Sequence, residues 1–364
     1  MIPVAKPIIG EEEKKAVMEV LNSGMLVQGS KVKELEESFA KICGTKYAVA
    51  MSSGTAAIHA ALYAIGIKEG DEVITTPFTF VATANPILMQ NAKIVFADID
   101  KDTFNIDTSD VERKITKKTK AIIAVDLFGQ PADYDKLNKI AKEHNLIIIE
   151  DACQAVNAEY NGKKSGSLAK VAAFSLYATK NIMSGEGGIL TTDDEEIYDR
   201  ARMFRHHGQS EKTKYQYFDL GYNYRMTDMQ AAIALAQLKK LDDFTDKRIK
   251  NAKLLSEGLK DVQGIKIPFV NPDVKHVFHQ YTIKIDGFQK SRDELIEYLK
   301  NKGIGSAVFY PKPLHLHPHF MKLGYKEGDF QIAEKIAKQV LSLPVHPSVT
   351  DQEIKTIIEA FKTA

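Results

Sequence analysis

The chain has 364 residues, 44% of them hydrophobic and 27% charged, which allows two domains and a substantial core. Lys and Arg number 49 against 48 Asp and Glu, a formal charge of +1. That balance argues against nucleic acid or an anionic membrane as the main partner, because both need a concentrated basic face.

The opening "MIPVAKPIIGEEEKK" turns acidic before an apolar signal core could form, and no apolar run approaches the ~18 residues of a membrane span. A cytoplasmic protein is expected. Cys43 and Cys153 are the two cysteines, far apart and in no metal spacing, so neither a disulfide framework nor a metal site is expected.

From about residue 46 short β-branched runs alternate with helical stretches. "KYAVAM" reads as a strand and Ala56 to Ala64 as a helix; "DEVITT" is a strand and Phe80 to Gln90 a helix. "AKIVFADI", "KAIIAVDLF" and "NLIIIED" are further strands, with helical spacing from Asp133 to His144. "VAAFSLY" and "GGILTT" add two more. Continuous apolar strands separated by helices predict an α/β fold whose mostly parallel sheet is covered on both faces. Such sheets present ligands at the carboxyl ends of their strands. Residues 228–259 read as one long helix linking a large domain, 1–245, to a smaller C-terminal α+β domain, 246–364. In the latter "HQYTIKI" is a strand, and Ser291 to Lys302 and Asp351 to Lys362 are helices.

Five stretches fall where such a sheet would hold a ligand. Ser52-Ser53-Gly54-Thr55 lies between a strand and a helix, where free N–H groups and the helix dipole favour an anion; a simple helix cap is the alternative. "FTFVATAN" places Phe78 and Phe80 at a strand end, as ligand contacts or as core. "NLIIIEDACQA" sets Asp151 at the carboxyl end of the most apolar strand, with Gln154 one turn on. A carboxylate there needs a cationic or hydrogen-bonding partner, unless it caps the next helix. "AAFSLYATK" ends a strand near Ser175 and carries Lys180 into a loop followed by Gly185, Gly187 and Gly188. "GYNYRMTDMQAA" puts Asn223 and Arg225 before a helix with Thr227 as its cap, which a plain capping loop also explains.

Together these match the needs of pyridoxal 5′-phosphate (PLP). That cofactor takes an amine to hold it as a Schiff base, a carboxylate for its pyridinium nitrogen, a phosphate cradle and a flat group over its ring. Lys180, Asp151, Gly54-Thr55 with Ser175, and Phe80 correspond in turn.

The same residues resemble the DegT/DnrJ/EryC1/StrS sugar aminotransferases, which have the fold-type I PLP architecture. The likeness runs in order from "KPIIGEEE" and "LNSGMLVQG" through "SSGTAAIHAAL", "GDEVITTPFTFVATAN", "EDACQA", "FSLYATKNIMSGEGG" and "GYNYRMTDMQAA" to "YPKPLH" and "SLPVHPSV". The ordered set carries it, not any single motif. The resemblance implies that Lys180 binds the cofactor covalently and then moves the proton as general acid and base. Asp151 would pair with the pyridinium nitrogen, Gln154 lie near the ring hydroxyl, Phe80 stack on the ring, and Gly54, Thr55 and Ser175 hold the phosphate.

Asn223 would reach the phosphate of a neighbouring subunit, implying a homodimer with shared active sites. Arg225, Tyr310, His315 and the "RHHG" residues His206 and His207 would lie near a substrate. The implied reaction moves an amino group from L-glutamate to a keto group of a nucleotide-linked hexose, with UDP expected as the nucleotide. Asn157 stands where the family often has Gly, and Cys153 where it often has Ala. Two other readings share part of the pattern: a fold-type I enzyme acting on an amino acid, and a non-catalytic protein that binds PLP or a sugar. A nicotinamide enzyme is set aside, because "SGEGG" precedes a strand instead of following one.

Overall fold

In the computed structural model, which describes residues 1–210, 213 and 215–364, two helices, α1 (Glu11–Ser23) and α2 (Ser30–Cys43), come first. Then β1 (Tyr47–Met51) turns directly into α3 (Gly54–Ala64). Alternating units follow: β2 (Glu72–Thr75), α4 (Asn85–Met89), β3 (Lys93–Phe96), α5 (Thr108–Lys114), β4 (Thr119–Val125), α6 (Tyr134–His144) and β5 (Ile147–Asp151). The short β6 (Glu159–Tyr160) and β7 (Lys163–Lys164) precede β8 (Val171–Ser175), β9 (Gly188–Thr192) and α7 (Glu195–Arg205). Next come α8 (Asp228–Leu238), α9 (Leu241–Leu259), β10 (Ile265–Lys266), β11 (Val274–Lys275) and β12 (Tyr281–Ile285). The chain closes with α10 (Arg292–Asn301), α11 (Pro318–Met321), α12 (Gln331–Gln339), β13 (Val340–Leu343) and α13 (Asp351–Lys362).

Seven strands form one sheet in the order β1-β9-β8-β5-β4-β2-β3, in which β9 runs antiparallel to β1 and β8 and the other pairs are parallel. This is the mostly parallel α/β sheet that the alternating apolar runs call for. Side chains alternate between its faces. Ile123, Ile149 and Ala173 share a core with Ile58 and Leu62 of α3, while Ile148 packs with Tyr134 and Leu137, and Ala172 and Phe174 with Leu35 and Phe39 of α2. Full burial of each such Ile, Leu or Phe contributes about 1.5–3 kcal/mol. A second sheet, β10-β12-β13, packs Ile283 and Leu341 against Leu255, Leu295 and Ile357 of α9, α10 and α13.

Two helical segments differ from expectation. Residues 80–90 form a 3-10 turn, Val81–Thr83, and then the short α4, because Pro86 disfavours helical backbone before it. The long helix after Thr227 is two helices: Lys239 and Lys240 interrupt it, and the Lys240 ammonium is held by Glu13 Oε1 at 2.8 Å. Thr227 does cap α8, in a reciprocal box with Gln230. Asn157 adopts a left-handed φ of 69°, a conformation open to Gly and, with less strain than most residues, to Asn. Its side chain binds Asp242 and Thr245, an anchorage glycine could not make. Among the described residues no helix is long and apolar enough to cross a membrane.

Candidate active site

The strand period of two decides which side chains meet. On β5, Ile149 and Asp151 face α3, whereas Glu150 points the other way; on β8, Ala173 and Ser175 share the α3 face. The register aligns Asp151 with Val125 of β4 and Ala173 of β8. Asp151 and Ser175 therefore stand at one edge of the sheet, beside the first turn of α3.

A cavity of about 490 Å³ opens there, lined by Gly54, Thr55, Phe80, Asp151, Gln154, Ser175, Lys180 and Tyr310 among others. At its α3 end Ser53 caps the helix, accepting from the Ala56 N–H at 3.2 Å. The cap alternative thus holds for Ser53, while Gly54 and Thr55 still border the cavity. Gly54 packs tightly: a Cβ there would lie 2.9 Å from the Cys153 Sγ and 3.0 Å from the Ser175 Cβ. Phe78 is fully buried core, but Phe80 is 58% exposed and lines the cavity.

Asp151 does not cap a helix. Its Oδ2 accepts from the Thr83 hydroxyl at 2.6 Å and its Oδ1 from the Cys153 N–H at 3.2 Å. Gln154 accepts the Phe128 N–H at 2.8 Å and donates to the Tyr310 hydroxyl at 3.2 Å. Burial holds the Lys180 amine below its ordinary value, with Cys153 and Asp151 acting against that shift. Burial also pushes the Tyr310 phenol and the Cys153 thiol upward, so both keep their protons near neutral pH.

The cavity's donor set suits PLP. It offers a lysine amine of lowered basicity, a carboxylate with an acceptor oxygen to spare, an aromatic side chain, and the N-terminus of α3, where Gly54 and Thr55 border the cavity and N–H groups favour a phosphate.

Other expected site residues lie elsewhere. His206 and Asn223 pair across an isolated bridge, and the Arg225 guanidinium donates to His206 Nδ1 at 2.7 Å, all outside the cavity of this chain. His207 and Asn223 are exposed. Burial and then the Arg225 charge lower the His206 pKa. His315 corrects the expectation. It is fully buried against Phe330, its Nε2 2.9 Å from Glu334 Oε1, and it does not reach the cavity wall.

The cavity also contains residues that the sequence reading did not single out: Thr79, Thr83, Phe128, Tyr177, Glu186, His279, Gln280 and Phe309. The hydroxyls of Thr79 and Thr83, four apart around Phe80, were the visible signal. His279 and Gln280 open the run "HQYTIKI", where nothing local marks them. Because Asn181 Nδ2 donates to Val277 O, its Oδ1 accepts from His279 Nδ1 at 3.2 Å. Burial, then the Lys180 and Arg248 charges, keep that imidazole neutral.

Comparison with known proteins agrees with this geometry. The model of the DegT/DnrJ/EryC1/StrS aminotransferase family matches residues 7–362. The chain is 42% identical over 375 residues to the spore coat polysaccharide biosynthesis protein SpsC of Bacillus subtilis, covering 99% of this chain and 96% of that one. It is 39% identical over 363 residues to the GDP-perosamine synthase of Caulobacter vibrioides, covering 99% and 97%. The PLP form of Spr1654 from Streptococcus pneumoniae superimposes with a TM-score of 0.94 at 32% identity, over 100% of this chain and 98% of that one. By fold, cavity and relationship, this chain belongs to the DegT/DnrJ/EryC1/StrS aminotransferase family, as a sugar aminotransferase whose family implies PLP.

Proposed function

We propose that the protein transfers an amino group from L-glutamate to a keto group of a nucleotide-linked hexose, in the cytoplasm, as a homodimer with shared active sites. The observation that carries this reading is the convergence of the Lys180 amine and the Asp151 carboxylate at the N-terminus of α3. PLP, when bound, supplies an electron sink next to the carbon that gains or loses the amine.

Lys180 would hold PLP covalently through Nζ. Once its amine is free, it takes the proton from the amino-acid carbon and returns one at the adjacent position; its lowered basicity suits both directions. Asp151 would keep a proton on the ring nitrogen, Phe80 would cover the ring, and Gln154, hydrogen-bonded to Tyr310, would lie on its hydroxyl side. The α3 N–H groups of Gly54 and Thr55 and the Ser175 hydroxyl would receive its phosphate. Asn223, exposed and outside this chain's cavity, serves the neighbouring copy, with Arg225, His206 and His207 beside it at the nucleotide-sugar.

In balance, glutamate gives up its amine and leaves as 2-oxoglutarate, whose keto oxygen comes from one water. The nitrogen then replaces the sugar's keto oxygen, which leaves as one water, so no water is gained or lost overall. UDP is the proposed nucleotide. Division of the chain near residue 245, within α9, accords with a second core built around β10, β12 and β13.

The test is addition of L-glutamate alone to the PLP-loaded protein. One 2-oxoglutarate per site, with loss of the visible absorbance, supports the donor half. UDP-, GDP- and dTDP-linked keto-hexoses then restore the band or fail to. Absence of 2-oxoglutarate sinks the glutamate assignment.

A further inference from the structure

The turn that displays Phe80 also grips Asp151. Thr83 and Thr79 are buried, and the Thr83 Oγ1 lies 2.6 Å from Asp151 Oδ2 and 3.0 Å from the Thr79 Oγ1. A carboxylate can only accept, so the Thr83 proton belongs to Asp151. The Thr83 oxygen is then free to accept from the Thr79 hydroxyl, which orders the chain Thr79 to Thr83 to Asp151. Each hydrogen bond in such a chain strengthens the next inside a low-dielectric interior.

The backbone fixes the donor as firmly. The Thr83 N–H is bonded to the Phe80 carbonyl at 3.1 Å, closing the 3-10 turn Val81–Thr83. Phe80 and the donor to Asp151 are consequently parts of one rigid turn. With Oδ2 committed to Thr83, Oδ1 accepts from the Cys153 N–H at a longer 3.2 Å and keeps lone-pair capacity for a further donor.

The geometry points to Thr83 as a positioning residue. It pins one carboxylate oxygen of Asp151 so that the other is aimed at the cofactor's ring nitrogen, and Thr79 reinforces it. This rests on the reading that Asp151 meets that nitrogen. It goes further in making the turn 79–83 set two contacts at once, the stacked face and the carboxylate's orientation.

The test compares Thr83→Val, Thr83→Ser, Thr79→Val and Asp151→Ala. Cofactor affinity is read by PLP titration of the apoproteins, and the pH dependence of the visible band by spectroscopy of the loaded ones. A buried hydrogen bond to a charged group is worth roughly 10- to 100-fold in an equilibrium constant.

Thr83→Val is expected to bind PLP roughly 10-fold or more weakly, with a displaced pH midpoint of the band, and Thr83→Ser to restore both to within about threefold. Thr79→Val should show the same displacement at a smaller size. If Thr83→Val fails to fold, Thr79→Val against Thr83→Ser makes the same comparison. Wild-type affinity and midpoint in Thr83→Val, alongside an impaired Asp151→Ala, overturn this inference alone. An Asp151→Ala protein that binds and titrates like wild type overturns the reading beneath it as well. Equal loss in Thr83→Ser and Thr83→Val reduces Thr83 to a packing residue.

Discussion

Gly54 and Ser175 meet so closely that a Cβ on Gly54 would sit 3.0 Å from the Ser175 Cβ, with the Cys153 Sγ at 2.9 Å on its other side. The first turn of α3 is thereby pressed onto the ends of β5 and β8. Any change in that contact moves the proposed phosphate cradle relative to Asp151 and Lys180.

Gly54→Ala should overpack this junction, at a cost of about 1–3 kcal/mol. We expect a lowered Tm and PLP affinity weakened at least tenfold in titration of the apoprotein. Adding Cys153→Ala removes one of the two clashing atoms and should recover part of the loss. Wild-type affinity in the single variant would show that the helix start adjusts freely.

Lys180→Ala should reduce turnover by at least about 10²–10⁴-fold, the usual share of a positioned general acid–base, while the chain still folds. Retained turnover with glutamate would remove Lys180 from the mechanism.

Lys180 also predicts a pH effect on stability. Its folded pKa is depressed by burial, so the unfolded chain binds more protons between the two values. The cost is fully present below the folded pKa and fades as pH rises toward the unfolded value near 10.4. Lys180→Met apoprotein should therefore melt higher than wild type at pH 7, by on the order of 1–3 °C, and the gap should be smaller at pH 10. Thermal scans at both pH values decide it; a gap that widens with pH contradicts the sign.

His315→Leu should lower stability by about 1–3 kcal/mol, because it strips a partner from Glu334 in a buried setting, while His315→Gln loses less. KM for the sugar should stay within about twofold of wild type in both, since the ring does not reach the cavity. A large KM change with unaltered Tm would restore His315 to the substrate site.

Tyr310→Phe removes the hydroxyl that accepts from Gln154 but keeps the ring against Phe78 and Phe80. Activity should fall modestly, on the order of tenfold, with the Gln154 amide left short of one acceptor. Because burial raises the phenol's pKa, the alkaline limb of the rate profile should be the same in both proteins. A shifted limb would mean that the phenol titrates during turnover.

Much of this protein was legible along the chain because its signals are local. Apolar runs such as "NLIIIED" announce strands whatever they pack against, and the period of two then puts Asp151 and Ile149 on one face. Ser175, Gly54 and Lys180 could be placed because Ser175 ends a strand and the other two lie within a few residues after one, at the edge where a parallel sheet binds ligands. The same locality explains the errors. A helical pattern from 80 to 90 and another across 228–259 were correct in type but overlong: the first is a 3-10 turn followed by the short α4 with Pro86 in its first turn, and the second divides at Lys239 and Lys240.

What the sequence by itself determined is a mostly parallel sheet covered by helices, with residues such as Asp151 and Ser175 at its strand ends. Tertiary structure alone decided that His315 turns inward to Glu334, that His279 joins the cavity wall from far along the chain, and that Thr83 holds Asp151 by a particular oxygen. The physical reason is one of range. Backbone periodicity is set within a few residues, whereas which hydroxyl meets which carboxylate depends on how separately formed elements pack.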